Sequence, residues 1–161
     1  MVETGNISLF LALIISTYVL VASIYGVKTR KWDFVRSAEN GALAVCFLLI
    51  IATLALVYSL LNLDFSLKYV ALNTSTDLAT IYRFTSLWAG QAGSLLLWCL
   101  MLSVYTVVVV LQSRNKDRQL MPYVLATLTT VSIFFIFIIT FIESPFEKLP
   151  FIPKEGRGLN P

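Results

Sequence analysis

The sequence has no histidine among its 161 residues and only two cysteines, Cys46 and Cys99. The absence of histidine removes the commonest metal ligand. The two cysteines do not form a Cys-x-x-Cys pair, and we expect them to pack as small apolar residues inside helices. Charged residues are also scarce, at 13% of the chain, about half the share in a typical soluble domain. The sequence therefore predicts neither a resident metal site nor a soluble fold.

The chain contains instead four long stretches without a charged side chain. Their apolar cores are residues 7–27, 41–63, 87–111 and 121–142, and each is long enough to cross a bilayer as a helix of about 20 residues. Continuous apolar runs favour helices, because barrel strands alternate in polarity. We predict an all-α integral membrane protein with four transmembrane helices and two structured outer-face loops. Uncharged helix interiors also disfavour an ion pump or a small transporter.

Basic residues mark the two short connections, and we expect both connections to be loops, the first over residues 28–40. The residues are Lys28, Arg30, Lys31 and Arg36 in the first connection and Arg114, Lys116 and Arg118 in the second. Cytoplasmic loops carry the excess of Lys and Arg. This places the N-terminus, the 64–84 segment and the C-terminal segment on the outer side. The basic runs are too short to indicate nucleic acid as a partner.

The stretch from Tyr82 to Trp98 differs from a plain apolar helix. Small residues recur four apart within it, at Ala89 and Gly93 and at Gly90 and Ser94, a spacing that allows helices to approach closely in lipid. We expect the third helix to begin near Leu87. In the polar segment before it, Asp77 is a candidate N-cap for a short helix over residues 79–83.

Two groups of motifs in this chain resemble the CcmF, NrfE and CycK family of cytochrome c-type biogenesis proteins. The first group is Tyr69-Val70-Ala71, Tyr82-Arg83 and the run from Trp88 to Trp98; the second is Ser144-Pro145-Phe146, Leu149-Pro150 and the run from Glu155 to Pro161. The resemblance covers essentially the whole chain in order. It departs from many relatives at Ala89, Gln91 and Ala92, where they have Gly, His and Glu.

The resemblance implies that the chain is the N-terminal portion of a haem lyase subunit. Such a protein takes haem from a haem chaperone and delivers it to apocytochrome c, together with thiol-handling maturation subunits. The family's haem ligands and tryptophan-rich external segment should follow Pro161, so haem is expected in the full protein or complex, with no ligand in this chain. We expect residues 1–143 to form the transmembrane module and residues 144–161 an external Pro/Gly loop leading into that missing domain. The implied location is the bacterial inner membrane, with the N-terminus and the C-terminal loop periplasmic.

The candidate cofactor-binding residues have two interpretations. Trp88, Gly93, Ser94 and Trp98, with Gly90, either pack and anchor the helix or line a cavity for haem or its chaperone, because aromatic rings suit a flat apolar macrocycle. Arg83 is either an interfacial cation or a partner of a haem propionate. We expect no catalytic residue and no metal ligand in this chain, which alone should be inactive. The alternative function is a non-catalytic membrane scaffold that recruits partners and binds no haem.

Overall fold

The computed structural model describes residues 1–113 and 119–158, and these residues are helical apart from short connections. The helices are α1 (Val2–Thr29), α2 (Trp32–Leu61), α3 (Lys68–Asn73), α4 (Thr80–Thr85), α5 (Gln91–Ser113) and α6 (Met121–Phe141), with a 3-10 turn at Ser86–Trp88. Within these residues the only strand-like pairing is a single bridge between Leu67 and Lys148.

Four of the helices, α1, α2, α5 and α6, are long and apolar enough to cross a membrane. They run alternately up and down, and each packs against two neighbours, in the ring order α1, α2, α5, α6. Their shared core contains fully buried aliphatic side chains from every helix, such as Leu9, Leu49, Leu96 and Ile136. Both cysteines are buried and free. The predicted all-α membrane fold is confirmed.

The predicted loop over residues 28–40 is wrong. α1 and α2 are joined by Arg30 and Lys31 alone, with Arg30 in the left-handed conformation at φ 55° and the Lys31 N–H donating to the Gly26 carbonyl at 3.0 Å. α2 has 30 residues and is therefore roughly 45 Å long, whereas the hydrocarbon core needs only about 30 Å. The charged residues extend the helix beyond its apolar part, and Glu39 is buried there at 7% exposure.

The predicted start of the third helix at Leu87 is also wrong. Residues 86–88 form the 3-10 turn, and α5 begins at Gln91. Ala79, not Asp77, is the N-cap of α4, and it makes no side-chain capping bond. The second basic connection, with Arg114, Lys116 and Arg118, lies outside the described residues.

Residues 64–94, which include the first turn of α5, and residues 143–158 form what we call the cap, at the end of the bundle where α1 and α5 begin and α2 and α6 end. Phe146, 1% exposed, fixes the second of these segments to the bundle. Its ring occupies the space in which a side chain at Gly5 of α1 would otherwise lie. The cap and the helix ends therefore share one apolar core.

Candidate functional site

Tyr69 on α3 is the buried centre of the first cap segment. Its hydroxyl lies 2.9 Å from the carbonyl oxygens of both Ser86 and Leu87, to which it donates, and it accepts from the N–H of Gly90 at 3.1 Å. Burial raises the pKa of Tyr69, so the hydroxyl stays protonated and keeps its donor. One phenol thus fixes the turn that leads into α5.

Gly90 and Gly93 leave room for Tyr69. A Cβ atom on Gly93 would overlap the Leu87 carbonyl oxygen and the Tyr69 hydroxyl, and one on Gly90 would lie 2.9 Å from the Tyr69 ring. The small residues do allow a close approach, as the sequence indicated. The partner they accommodate is the cap tyrosine, however, and not another transmembrane helix.

Ser94 forms a hydrogen bond to Trp88 across the turn that leads into α5. The Ser94 hydroxyl donates to the Trp88 carbonyl at 2.9 Å, so Ser94 holds the backbone of Trp88 from the first turn of α5. The indole of Trp88 packs edge-on against Phe84, with ring centroids 6.0 Å apart and planes at 90°. It remains 47% exposed, which makes it an outward-facing aromatic on a fixed backbone.

Trp98 lies on α5, 66% exposed. It belongs to a face of α5 that the other three long helices leave uncovered, together with Met101, Tyr105 and Leu111. In this chain neither Trp88 nor Trp98 is a core residue. Interior packing within the four-helix bundle is therefore not what holds either side chain.

Arg83 is bound by the loop that precedes α4. Its Nε donates to the Leu78 carbonyl and one Nη donates to the Thr76 carbonyl, each at 2.8 Å. The guanidinium therefore holds the 76–78 turn in shape. This geometry gives Arg83 a role beyond the two interpretations from the sequence: it stabilises the backbone of the cap.

Glu155 binds the opposite side of Thr76. One carboxylate oxygen accepts from the Thr76 N–H and the other from the Thr76 hydroxyl, both at 2.7 Å. These bonds hold the pKa of Glu155 below its ordinary value. Thr76 is thus fixed by Arg83 from its own segment and by Glu155 from a segment 79 residues away.

Backbone hydrogen bonds join the two cap segments along their length. Lys68 N–H donates to the Glu147 carbonyl and Leu149 N–H to the Ser66 carbonyl, each at 2.9 Å, and Gly158 N–H donates to the Thr74 carbonyl at 3.0 Å. The Lys68 ammonium also pairs with the Glu147 carboxylate at 2.8 Å. A Cβ on Gly156 would overlap the Thr74 carbonyl oxygen, so the second segment runs close to the first.

Sequence reasoning missed Tyr69 and the Thr76–Glu155 contact as organising interactions. Tyr69 was part of a recognisable motif, but nothing local indicated that its hydroxyl reaches a turn 17 residues later. The motifs at residues 69–71, 82–83 and 88–94, and the one at 155–158, all meet in the cap. No group of three His, Cys, Asp or Glu side chains that could hold a metal ion occurs within the described residues.

The sequence of this chain is similar to those of several known proteins. The chain is 36% identical to the cytochrome c-type biogenesis protein CcmF of Escherichia coli over 100% of this chain and 25% of that protein. It is 34% identical to the biogenesis protein ccl1 of Rhodobacter capsulatus, over 99% of this chain and 24% of that protein. It is 35% identical to CycK of Rhizobium meliloti over the same shares. No family model matches.

A solved structure of cytochrome c haem lyase CcmF has the same fold as this chain. The two superpose with a TM-score of 0.85 at 33% identity, over 92% of this chain and 25% of the other. The chain thus spans about a quarter of the length of the proteins it matches. The resemblance is confirmed: over its whole length this chain is related to the CcmF, CycK and NrfE family of cytochrome c-type biogenesis proteins.

Proposed function

We propose that this chain is the four-helix segment of a haem lyase that delivers haem to apocytochrome c for covalent attachment. The observation that carries the proposal is the convergence of the family motifs in the cap. Residues that are far apart in the sequence, such as Tyr69, Gly93 and Glu155, hold one structure there. The relatives that share this segment are named for cytochrome c biogenesis, and the solved structure is named for haem lyase activity.

In this proposal the cap faces the periplasm of a bacterial inner membrane. Support comes from the basic residues Lys28, Arg30 and Lys31, which lie at the end of the bundle opposite the cap, where cytoplasmic charge is expected. The partners on the cap side are a haem chaperone, apocytochrome c, thiol-handling maturation subunits and the remaining portion of the lyase.

This chain lacks the commonest protein ligand of haem iron. Proteins ligate haem iron mainly through His, Cys, Met or Tyr. This sequence has no histidine, and Cys46 and Cys99 are buried between helices. Exposed methionine and tyrosine side chains, such as Met101 and Tyr105, are the ligand types that remain. We place the ligands in the remaining portion of the lyase, as the family resemblance implies, and derive no chemical step from this chain.

We propose that Trp88 and Trp98 supply exposed aromatic surface to the haem or chaperone site. Both rings are about half exposed or more, and an indole offers a flat apolar face to a macrocycle. Gly93 and Ser94 position Trp88 by allowing the tight turn and by binding its carbonyl. Arg83 supports the same region through the 76–78 backbone.

The test replaces Trp88 and Trp98 with alanine, singly and together, in the complete lyase that contains this chain. Covalently bound haem in the membrane cytochromes c is measured beside the amount of assembled chain. Trp32→Ala is the matched control, because Trp32 is 46% exposed at the opposite end of the bundle. We expect Trp88→Ala and Trp98→Ala to lower haem attachment at constant assembly. Unchanged haem attachment in the double variant would exclude this role.

The alternative of a membrane scaffold is favoured by one feature of the cap. The polar groups of Arg83 and Glu155 are used between cap segments, which suits a surface whose task is to keep a fixed shape. In the same experiment a scaffold predicts that haem attachment falls only in proportion to partner proteins recovered with the chain.

A further inference from the structure

A small cavity lined by hydroxyl groups lies inside the bundle, away from the cap. The cavity is partly open and has a volume of about 10 Å³, and its lining residues are Ser16, Val19, Ala42, Val45, Ser103, Thr106, Thr129 and Ser132. This is close to the space that one water molecule needs, about 10–15 Å³. Every one of the four long helices contributes to the lining, so the cavity belongs to the assembled bundle.

Three of the five hydroxyl groups around the cavity present free acceptor positions. Ser103 donates to the Leu100 carbonyl at 2.7 Å, Thr106 to the Leu102 carbonyl at 2.8 Å and Ser132 to the Leu128 carbonyl at 3.0 Å. Each of these hydroxyl protons is used within its own helix, which leaves oxygen lone pairs for another donor. The cavity is therefore suited to a small molecule that can donate two hydrogen bonds.

Ser16, in contrast, has a hydroxyl proton that lacks an acceptor. Its side chain is 1% exposed, and its Oγ has no hydrogen-bond partner among the described residues. Ser16 lies halfway along α1 (Val2–Thr29), and Ser132 lies halfway along α6 (Met121–Phe141). At that depth a buried hydroxyl without a partner costs about 1–3 kcal/mol by mutational measures.

We propose that the bundle binds one water molecule in this cavity. The water accepts the proton of Ser16 and donates to two of the oxygens of Ser103, Thr106 and Ser132. These three bonds match the usual number for a buried water and connect α1 to α5 and α6. The inference concerns the fold and does not depend on the proposed function.

The first test compares Ser16→Ala with Ser59→Ala by thermal unfolding of the full chain in detergent. Ser59 is a matched control, because it is also 1% exposed and its Oγ also has no partner in the described part, yet it does not line the cavity. We expect Ser16→Ala to lower the unfolding midpoint, because the water loses the hydroxyl that donates a hydrogen bond to it. We expect Ser59→Ala to leave the midpoint unchanged or to raise it. A midpoint for Ser16→Ala at or above that of the unchanged chain would overturn the proposal.

The second test detects the water directly by NMR in perdeuterated nanodiscs. Paired NOE and ROE spectra distinguish a long-lived water, whose cross-peaks have opposite signs in the two spectra, from hydroxyl exchange, whose signs are the same. We expect the water-type signature at the amides of Ser16 and Ser132. The control is Thr130, which lies on the same helix but is exposed. Exchange-type peaks alone at Ser16 and Ser132, as at Thr130, would contradict a bound water.

Discussion

The bundle and the cap use their polar groups differently. In the bundle, hydroxyl groups such as those of Thr53 and Thr127 donate to the carbonyl four residues earlier in their own helix. In the cap, Tyr69 and Glu155 bond to segments 17 and 79 residues away. The bonds of Thr53 and Thr127 therefore stabilise only the helix that contains each residue, whereas those of Tyr69 and Glu155 determine how separate segments meet.

This difference explains where the sequence is recognisable. A lipid-facing position is satisfied by many apolar residues, because lipid and protein interior are similarly apolar. A position such as Gly93 is satisfied by one residue type, because the Leu87 carbonyl and the Tyr69 hydroxyl fill the space beside it. The motifs that identify the family are the residues that shape the cap.

The largest expected loss of stability is that of a glycine-to-alanine substitution in the cap, compared with the same substitution in the bundle. Gly93→Ala should cost about 1–3 kcal/mol or more, as overpacking against fixed backbone does. Gly41→Ala in α2 should cost less, because its Cβ would meet the Val19 Cγ2 at 2.5 Å, the end of a side chain that can move, and because alanine favours helix over glycine. Denaturant unfolding in detergent measures both. Equal losses would show that the cap is no tighter than the bundle.

The next effect tests the Tyr69 hydroxyl. Tyr69→Phe removes the hydroxyl that bonds to the Gly90 N–H and the Leu87 carbonyl, while the Ser86 carbonyl keeps its bond from the Ala89 N–H. The lost bonds should cost about 1–3 kcal/mol. Tyr105→Phe is the control, since Tyr105 is 59% exposed on α5, and its effect should be near zero. Both stabilities come from the same unfolding assay. A Tyr69→Phe chain as stable as Tyr105→Phe would remove Tyr69 as the anchor of the turn.

The helices of the bundle were predictable because each contains an uncharged run that exceeds the membrane thickness. Their ends were not, for two physical reasons. α2 begins at Trp32, before its apolar segment, because the helix includes charged residues such as Arg36 and Glu39. A search for uncharged runs does not find these residues. α5 begins at Gln91 and not at Leu87, because Tyr69 binds the carbonyls of the turn before it.

The cap was predictable only in part. Its two segments were expected to be ordered, and the buried Phe146 confirms that the second one packs on the rest of the chain. The carboxylate of Glu155 binds Thr76, in the other cap segment. A contact across 79 residues leaves no periodicity in the sequence.

The third prediction uses pH to loosen one cap contact. The folded pKa of Glu155 is below its ordinary value of 4.5, so its bond to Thr76 stabilises the cap above about pH 4.5 and is lost as the pH falls through the lower, folded value. Relative to their intrinsic rates, the 74–78 amides should therefore exchange faster in acid. Comparison with Glu155→Gln at each pH cancels the intrinsic exchange rates, because the amide does not titrate there. A constant ratio between the two chains across this range would contradict the prediction.

The smallest expected effect is that of the Lys68–Glu147 ion pair. Both side chains are about half exposed, and solvent screens such pairs strongly. Glu147 raises the pKa of Lys68 by hydrogen bonding and charge, so any stability from the pair is present at neutral pH and is lost as the pH rises through the folded pKa of Lys68. A double-mutant cycle with Lys68→Met and Glu147→Gln should give a coupling within the scatter of the unfolding measurements. The backbone bonds of Lys68 and Leu149 to the other segment are unaffected by either change, so the cap should remain joined. A large coupling would instead mean that surface charge, rather than backbone pairing, holds the two segments together.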